Sequence, residues 1–367
     1  MASHKNQHFV PRCYLKPFSL NGEGLAINMY NIDRRKGIRN AALASQCSAA
    51  YFYGEDLTLE KLLQTPEGWY AQVLKEIRTP GYRLTTDHKS SLRLFTLLQY
   101  RRTEAAAMYI AQSMNETLDI AYRGADRVPE GERPSLKDAM QLGIHTFLQT
   151  ARGLDDLKVC LIRNKTHGEF ITSDDPAIMT NRWYLTNAKA KPHSAGMASA
   201  GALFFLPLTP TILCVIYDGD VYSIPNDAGW VDVYKQGDIN AFNEHQYLNC
   251  VANVYFSGWK LLGVIESEFL AALPHRVFPK QQLEVAVIEN EDEWGETYKT
   301  VSREEAALAA RKMIRMTHMF ARPTRWPSPI KWRDKPKIYF NGSSVGFLRR
   351  RHAEHCGIGA LTPFRKI

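Results

Sequence analysis

Residues 6–19, Asn-Gln-His-Phe-Val-Pro-Arg-Cys-Tyr-Leu-Lys-Pro-Phe-Ser, set a histidine, an arginine and a tyrosine among apolar residues and prolines. A chain terminus is ordinarily frayed and polar. His8 and Arg12 belong to this stretch. Glu67 follows in Thr65-Pro-Glu67, and Gln99, Arg101 and Arg102 in Leu97-Leu-Gln-Tyr-Arg-Arg-Thr103. Asp174 and Asp175 stand in Phe170-Ile-Thr-Ser-Asp-Asp-Pro176. If these segments converge, His8, Glu67 and Asp174 present the nitrogen and carboxylate oxygens that a hard ion such as Mg²⁺ or Mn²⁺ accepts. The ion would activate a water and stabilise charge on a phosphoryl group, with Arg12 or Arg102 clamping its oxygens. His8, Arg12, Glu67, Arg102, Asp174 and Asp175 therefore form the candidate catalytic set, and metal-dependent phosphodiester cleavage is the reaction it suggests.

Each residue also has a purely structural account. A lone histidine is more often one whose ring bonds a nearby carbonyl. Glu67 falls in the first turn of a helix if Thr65 caps it, where the dipole favours a carboxylate whatever the function. Successive helical residues point about 100° apart, so at most one of Arg101 and Arg102 faces inward with Gln99. Asp before Pro at a strand end commonly bonds its own backbone.

Several familiar signatures are incomplete or missing. His8-x-x-Pro11 near Asp33-Arg-Arg-Lys-Gly37 lacks the second half of a His-Asn-His nuclease motif. Asp156-Leu-Lys158 has no upstream Pro-Asp, and Arg350-x-x-x-x-His355 lies between glycines in a basic tail. No dinucleotide or P-loop glycine pattern occurs, nor Gly-x-Ser-x-Gly. The six cysteines form no Cys-x-x-Cys pair, so structural zinc is not expected and a reducing cytoplasm is the natural setting.

The elements that must position these groups change character along the chain. Residues 1–40 read as strands and turns, with a hairpin at Asn21-Gly-Glu-Gly24. Residues 41–155 read as helical: one helix opens at Thr65-Pro66, a longer one runs from Asp87 past Met108, and Ser135-x-x-Asp138 opens a third. Residues 156–300 read as mostly β: a hairpin over 158–172, apolar strands at 203–206 and 212–217, a helix over 240–256, and strands near 260–266 and 283–288. Ser302-x-x-Glu305 caps a last helix extending to Met319. The expected class is α+β, a helical first half followed by a mostly antiparallel sheet, as one body over 1–300 with a C-terminal helix and basic tail over 301–367.

The chain of 367 residues is 45% hydrophobic and carries a net charge of +8. No apolar run reaches the roughly 18 residues of a membrane span, and a cytoplasmic protein is expected. Residues 322–367 hold 11 Lys/Arg against 2 Asp/Glu, so the remainder is close to neutral. Such a segment suits nucleic acid, with Trp326 and Trp332 stacking on bases and Arg349, Arg350 and Arg351 on phosphates. A mobile solubilising tail has the same composition.

The opening stretch, Cys47-Ser-Ala-Ala-Tyr-Phe-Tyr53, Leu97–Thr103, Phe170–Pro176, Phe205-Leu-Pro-Leu-Thr-Pro210 and residues 243–257 recur in an order similar to that of domain-of-unknown-function family 4238, a mostly bacterial group. The resemblance covers about residues 5–265 and carries no chemistry with it. The leading expectation is a nuclease or related phosphodiester-cleaving enzyme, in bacterial defence or as a toxin. The alternatives are a non-catalytic module binding nucleic acid or a partner protein, and an enzyme on a small phosphorylated or nucleotide substrate.

Overall fold

A computed structural model describes residues 6–122, 124–292, 295–356 and 363–367. The architecture is α+β. After a single turn, α1 (Arg12–Leu15), come α2 (Thr58–Ile77), α3 (Thr86–Arg101), α4 (Glu104–Ala121) and α5 (Leu136–Thr150). Thr85, Thr103 and Ser135 each cap the helix they precede, accepting from the backbone N–H three residues on. Two expectations fail here. The helix expected to open at Pro66 begins eight residues earlier, and Pro66 is carried inside it on a partly exposed stretch. The long helix expected past Met108 is two, because Thr103 starts a new one as soon as α3 ends at Arg101.

A five-stranded sheet forms the centre, in the order Trp230–Val233, Lys158–Asn164, Ile212–Tyr217, Leu203–Thr209, Ile178–Thr180. All pairings are antiparallel except the first. Its strands are apolar at nearly every position, and the side-chain alternation of a strand explains why. Val159, Leu161, Phe204, Leu206, Cys214 and Ile216 pack on the side of α2, α3 and α5. Cys160, Ile162, Phe205, Leu213 and Val215 pack on the other side, against Ile239 and Phe242 of α7 (Gln236–Asn249), which follows the short helix α6 (Arg182–Thr186) in the chain. A sheet covered on both faces reads as a continuous hydrophobic run.

A second sheet joins Lys36–Ala42, Ala26–Asn31, Asn253–Phe256 and Thr172–Ser173, all antiparallel. The hairpin expected over 158–172 therefore does not form: its two arms belong to different sheets. The helix expected over 240–256 stops at Asn249, and the strand expected near 260–266 is a 3-10 turn leading into the helix Leu262–Ala272. A third sheet of Gly295–Val301, Gln281–Asp292 and Lys312–His318 replaces most of the last expected helix, which spans only Arg303–Leu308.

The basic segment lies against the body. Lys331–Trp332 pairs with Tyr222–Ser223, and the Phe347 carbonyl and Arg349 amide bond the backbone at Ala200 and Ala198. Ile330, Ile338 and Phe347 are buried among the residues of the second sheet face. Burying each is worth about 1.5–3 kcal/mol. Ending the chain at Arg322 should therefore uncover that face, lowering the melting temperature markedly or causing aggregation. An unchanged melting curve would show that the segment contributes nothing to the fold.

Candidate functional site

The opening strand Asn6–His8 pairs antiparallel with Ser48–Ala50, so the first two distinctive stretches of the sequence form one ladder. Gln7 extends it sideways: its amide donates to the Gly54 carbonyl and its oxygen accepts from the Tyr53 N–H. Tyr53 is thereby fixed beneath the first strand, and its hydroxyl donates to the His8 carbonyl at 3.1 Å.

Arg102 locks this arrangement to the helices. Its guanidinium is almost wholly buried, and its bond acceptors are spread over three segments. Nε donates to the Tyr53 hydroxyl at 3.0 Å, one terminal nitrogen to Glu67 at 2.7 Å, and the other to the His8 carbonyl at 2.9 Å. Glu67 lies mid-way along α2 and is opposed to Arg102 at the C-terminal end of α3. Three positions before Arg102, Gln99 also faces inward and donates to the Phe9 carbonyl, whereas Arg101 lines a different cavity.

His8, Arg12, Tyr53, Glu60, Glu67 and Arg102 line one cavity of about 170 Å³. His8 Nδ1 donates to the Gln46 carbonyl oxygen at 3.2 Å, which leaves the Nε2 lone pair free in the neutral ring. Burial holds the His8 pKa below its usual 6.5, and the charges of Arg12 and Arg102 lower it further against the opposing Gln46 bond. Arg12 is exposed at the rim. Glu60 contributes a buried carboxylate oxygen with no partner. Cys13 also lines the cavity, but burial first and Glu67 second push its thiol up to about 12, far from a reactive thiolate at neutral pH.

Asp174 and Asp175 are used elsewhere. The Asp174 carboxylate accepts from the N–H groups of Val251, Ala252 and Asn253 at 2.7–2.8 Å, fixing the turn between α7 and the strand Asn253–Phe256. It does not bond its own backbone in the turn expected before Pro176. Burial raises it to about 6, opposed by those three donors. Asp175 accepts from Thr103 and pairs with Lys280 at 2.9 Å, lining a different cavity. The expected metal set of His8, Glu67 and Asp174 is thus not gathered: Asp174 has both oxygens committed to amides and does not line the His8 cavity. Among the described residues no group of three or more His, Cys, Asp or Glu side chains is placed to hold a metal ion.

The tail residues expected to meet nucleic acid are engaged with the protein. Arg349 is buried, paired with Asp156 and donating to the carbonyls of Gly153 and Met197. Arg350 pairs with Asp220 and Arg351 with Asp155. Trp326 packs on His245, and the Arg182 guanidinium lies 5.6 Å from its ring and 4.8 Å from that of Trp332. Trp332 remains 41% exposed, and the side chains of Arg350 and Arg351 are 43% and 44% exposed.

Tyr53, Gln46 and Glu60 were not among the expected site residues. Tyr53 and Gln46 flank the Cys47–Tyr53 stretch, and its pairing with the opening strand was the signal that could have found them. Glu60 has no local sequence signal.

Two substitution pairs separate the buried roles. Arg102→Ala strands Glu67 and should cost about 3–5 kcal/mol in chemical denaturation, and Arg102→Lys should restore only part, having no planar fork for three partners. Asp174→Ala leaves three amides without an acceptor, at about 1–3 kcal/mol each if buried; Asp174→Asn keeps one acceptor and should cost less. Equal stability of Asp174→Ala and wild type would remove its assigned role.

Comparison with curated proteins and with solved structures gives no match. Residues 6–258 match the model of a family described as "Protein of unknown function (DUF4238)". That span contains all six candidate catalytic residues, whereas Lys280 and the five tail residues lie beyond it. With more than half of its length matched, the chain belongs to this family.

Proposed function

We propose that the chain hydrolyses phosphate esters at the His8 cavity, with a nucleic-acid phosphodiester or a nucleotide as substrate. The observation that carries this reading is a neutral His8, its Nδ1 tied to a carbonyl and its Nε2 free, beside the exposed cation Arg12 in a cavity large enough for a phosphate group.

Arg12 is the group available to bind phosphate oxygens, since every donor-bearing nitrogen of Arg102 already has a protein partner. Arg102 acts as a positioning residue. It holds the His8 carbonyl, and so the strand that carries the imidazole. In the hydrolytic step a water attacks phosphorus and gives its proton to His8 Nε2. The P–O ester bond breaks with its electron pair passing to the leaving oxygen, which takes a proton from solvent. The partnerless oxygen of Glu60 is an acceptor for a substrate hydroxyl or for the attacking water. The pairing of Arg349, Arg350 and Arg351 with body carboxylates moves support from the tail to this cavity.

DNA, RNA, bis-p-nitrophenyl phosphate and p-nitrophenyl phosphate distinguish the substrate classes. His8→Ala should lower kcat on the hydrolysed substrate about 10²–10⁴-fold. Arg12→Ala should raise KM roughly tenfold or more, the loss of a charge-assisted hydrogen bond. Full activity in both variants would refute the site, and nucleic-acid binding with no hydrolysis would favour a binding module.

The pH profile is a separate check. A base works in its neutral form, so kcat/KM should rise with pH through an apparent pKa below 6.5 and be level above it. A limb that still rises well above pH 6.5 would exclude His8 as the base.

A further inference from the structure

The cavity that holds Asp175 carries an imbalance of charge. Arg101 and Lys280 both line it together with Asp175, whose carboxylate pairs with Lys280. Lys280 is only 7% exposed and is satisfied by Asp175 at 2.9 Å and the Asn249 carbonyl at 3.0 Å. The other Asp175 oxygen accepts from Thr103, the residue that caps α4, so the positive end of an 18-residue helix also faces this place. His318 lines the cavity as well, and burial, with the charges of Lys280 and Arg101, lowers its pKa to about 3, so its ring is neutral and neither adds to the positive charge nor offsets it. Arg101 Nε is buried with no partner. Among the described residues no carboxylate pairs with Arg101, so its charge has no counter-ion in this partly enclosed site.

The free volume there is about 30 Å³. At roughly 10–15 Å³ per water-sized group this is room for two, the size of the oxygens of a carboxylate. Tyr109 lines this cavity and also a neighbouring hollow of about 500 Å³, whose apolar walls include Met108, Leu273 and Phe278. Met108 and Phe278 are each 48% exposed, and Lys280 Nζ lies 5.4 Å from the Tyr109 ring and 5.9 Å from that of Phe278. A cationic slot thus adjoins an apolar hollow that opens to solvent. The Arg276 guanidinium, beside that hollow, is spent on the carbonyls of Tyr247 and Cys250.

We infer that this is a binding site for a small organic acid, with its carboxylate between Arg101 and Lys280 and its apolar chain in the hollow beside Phe278. The site is separate from the His8 cavity and does not depend on phosphate-ester hydrolysis. Arg101 and Asp175 come from the family-matched part of the chain, whereas Lys280, Phe278 and His318 come from beyond it. The third sheet therefore completes the slot.

Isothermal titration of the full chain at pH 7.5 and low salt, with acetate, butyrate, octanoate and the neutral octanol, tests this. Affinity should increase along the acids by up to about fourfold per methylene buried, and octanol should bind far more weakly than octanoate. Arg101→Gln should weaken octanoate at least tenfold with an unchanged melting curve in the absence of ligand. Phe278→Ser should weaken octanoate and leave acetate unaffected. Octanol binding as tightly as octanoate, or an Arg101→Gln variant of full affinity, would overturn the anion-binding slot. Equal affinity for acetate and octanoate would overturn the apolar part, and no binding of any acid at millimolar concentration would overturn the whole.

Discussion

The His8 cavity depends on one buried guanidinium. Arg102 brings no bond to its own helix through its side chain; it gathers the first strand, the Tyr53 loop and α2. A buried charge is tolerable when it is paired and its remaining donors are satisfied, and Arg is the residue whose planar fork can reach three partners at once. Without that fork the segment carrying His8 and Arg12 would keep its ladder and the Gln7 and Gln99 bonds but lose its charged tie to α2. With it, a histidine eight residues into the chain has a fixed carbonyl, a fixed tautomer and a wall of helix behind it.

The central sheet imposes a second constraint. Its strands are apolar on both sides, and α2, α3 and α5 cover only one of them. The other requires a cover of comparable area, and α7 with the C-terminal segment supplies it. The basicity of that segment is then a matter of contact: Asp155, Asp156, Asp220, Glu244 and Glu268 stand opposite Arg351, Arg349, Arg350 and Arg325. The pairs of Arg350 with Asp220 and Arg351 with Asp155 are largely exposed and add little stability individually. Their value lies in orienting a segment whose apolar side chains do the covering, and in neutralising a charge that would otherwise stand alone.

Adjacent residues divide their work in both distinctive acidic and basic stretches. Arg102 goes to the His8 cavity and Arg101 to the Asp175 cavity. Asp174 closes a turn, and Asp175 meets a lysine about a hundred positions further on. In each pair the backbone passes between two places: Arg101 and Arg102 stand at the end of α3, where consecutive side chains point about 100° apart, and Asp174 and Asp175 stand in the bend after the strand Thr172–Ser173. Treating Asp174 and Asp175, or Arg101 and Arg102, as joint members of one site overlooks that geometry.

The local rules carried the reading of the sequence wherever a feature depended on near neighbours. The α+β class, the caps at Ser135 and Ser302, the strands at Leu203–Thr209 and Ile212–Tyr217, and the family that the opening and Ser-Asp-Asp-Pro stretches identify were all legible there. His8, Arg12, Glu67 and Arg102 were legible as residue types worth bringing together. What needed the tertiary structure was partnership over long separations. Lys280 lies 105 residues from Asp175, Asp156 lies 193 from Arg349, and the amides that Asp174 serves are 77–79 away. No periodicity or spacing encodes such pairs, because they are selected by which faces of helices and sheets must be buried together. That selection decided that Asp174 is structural, that the charged tail is cover for a sheet, and that the Asp175 cavity exists at all.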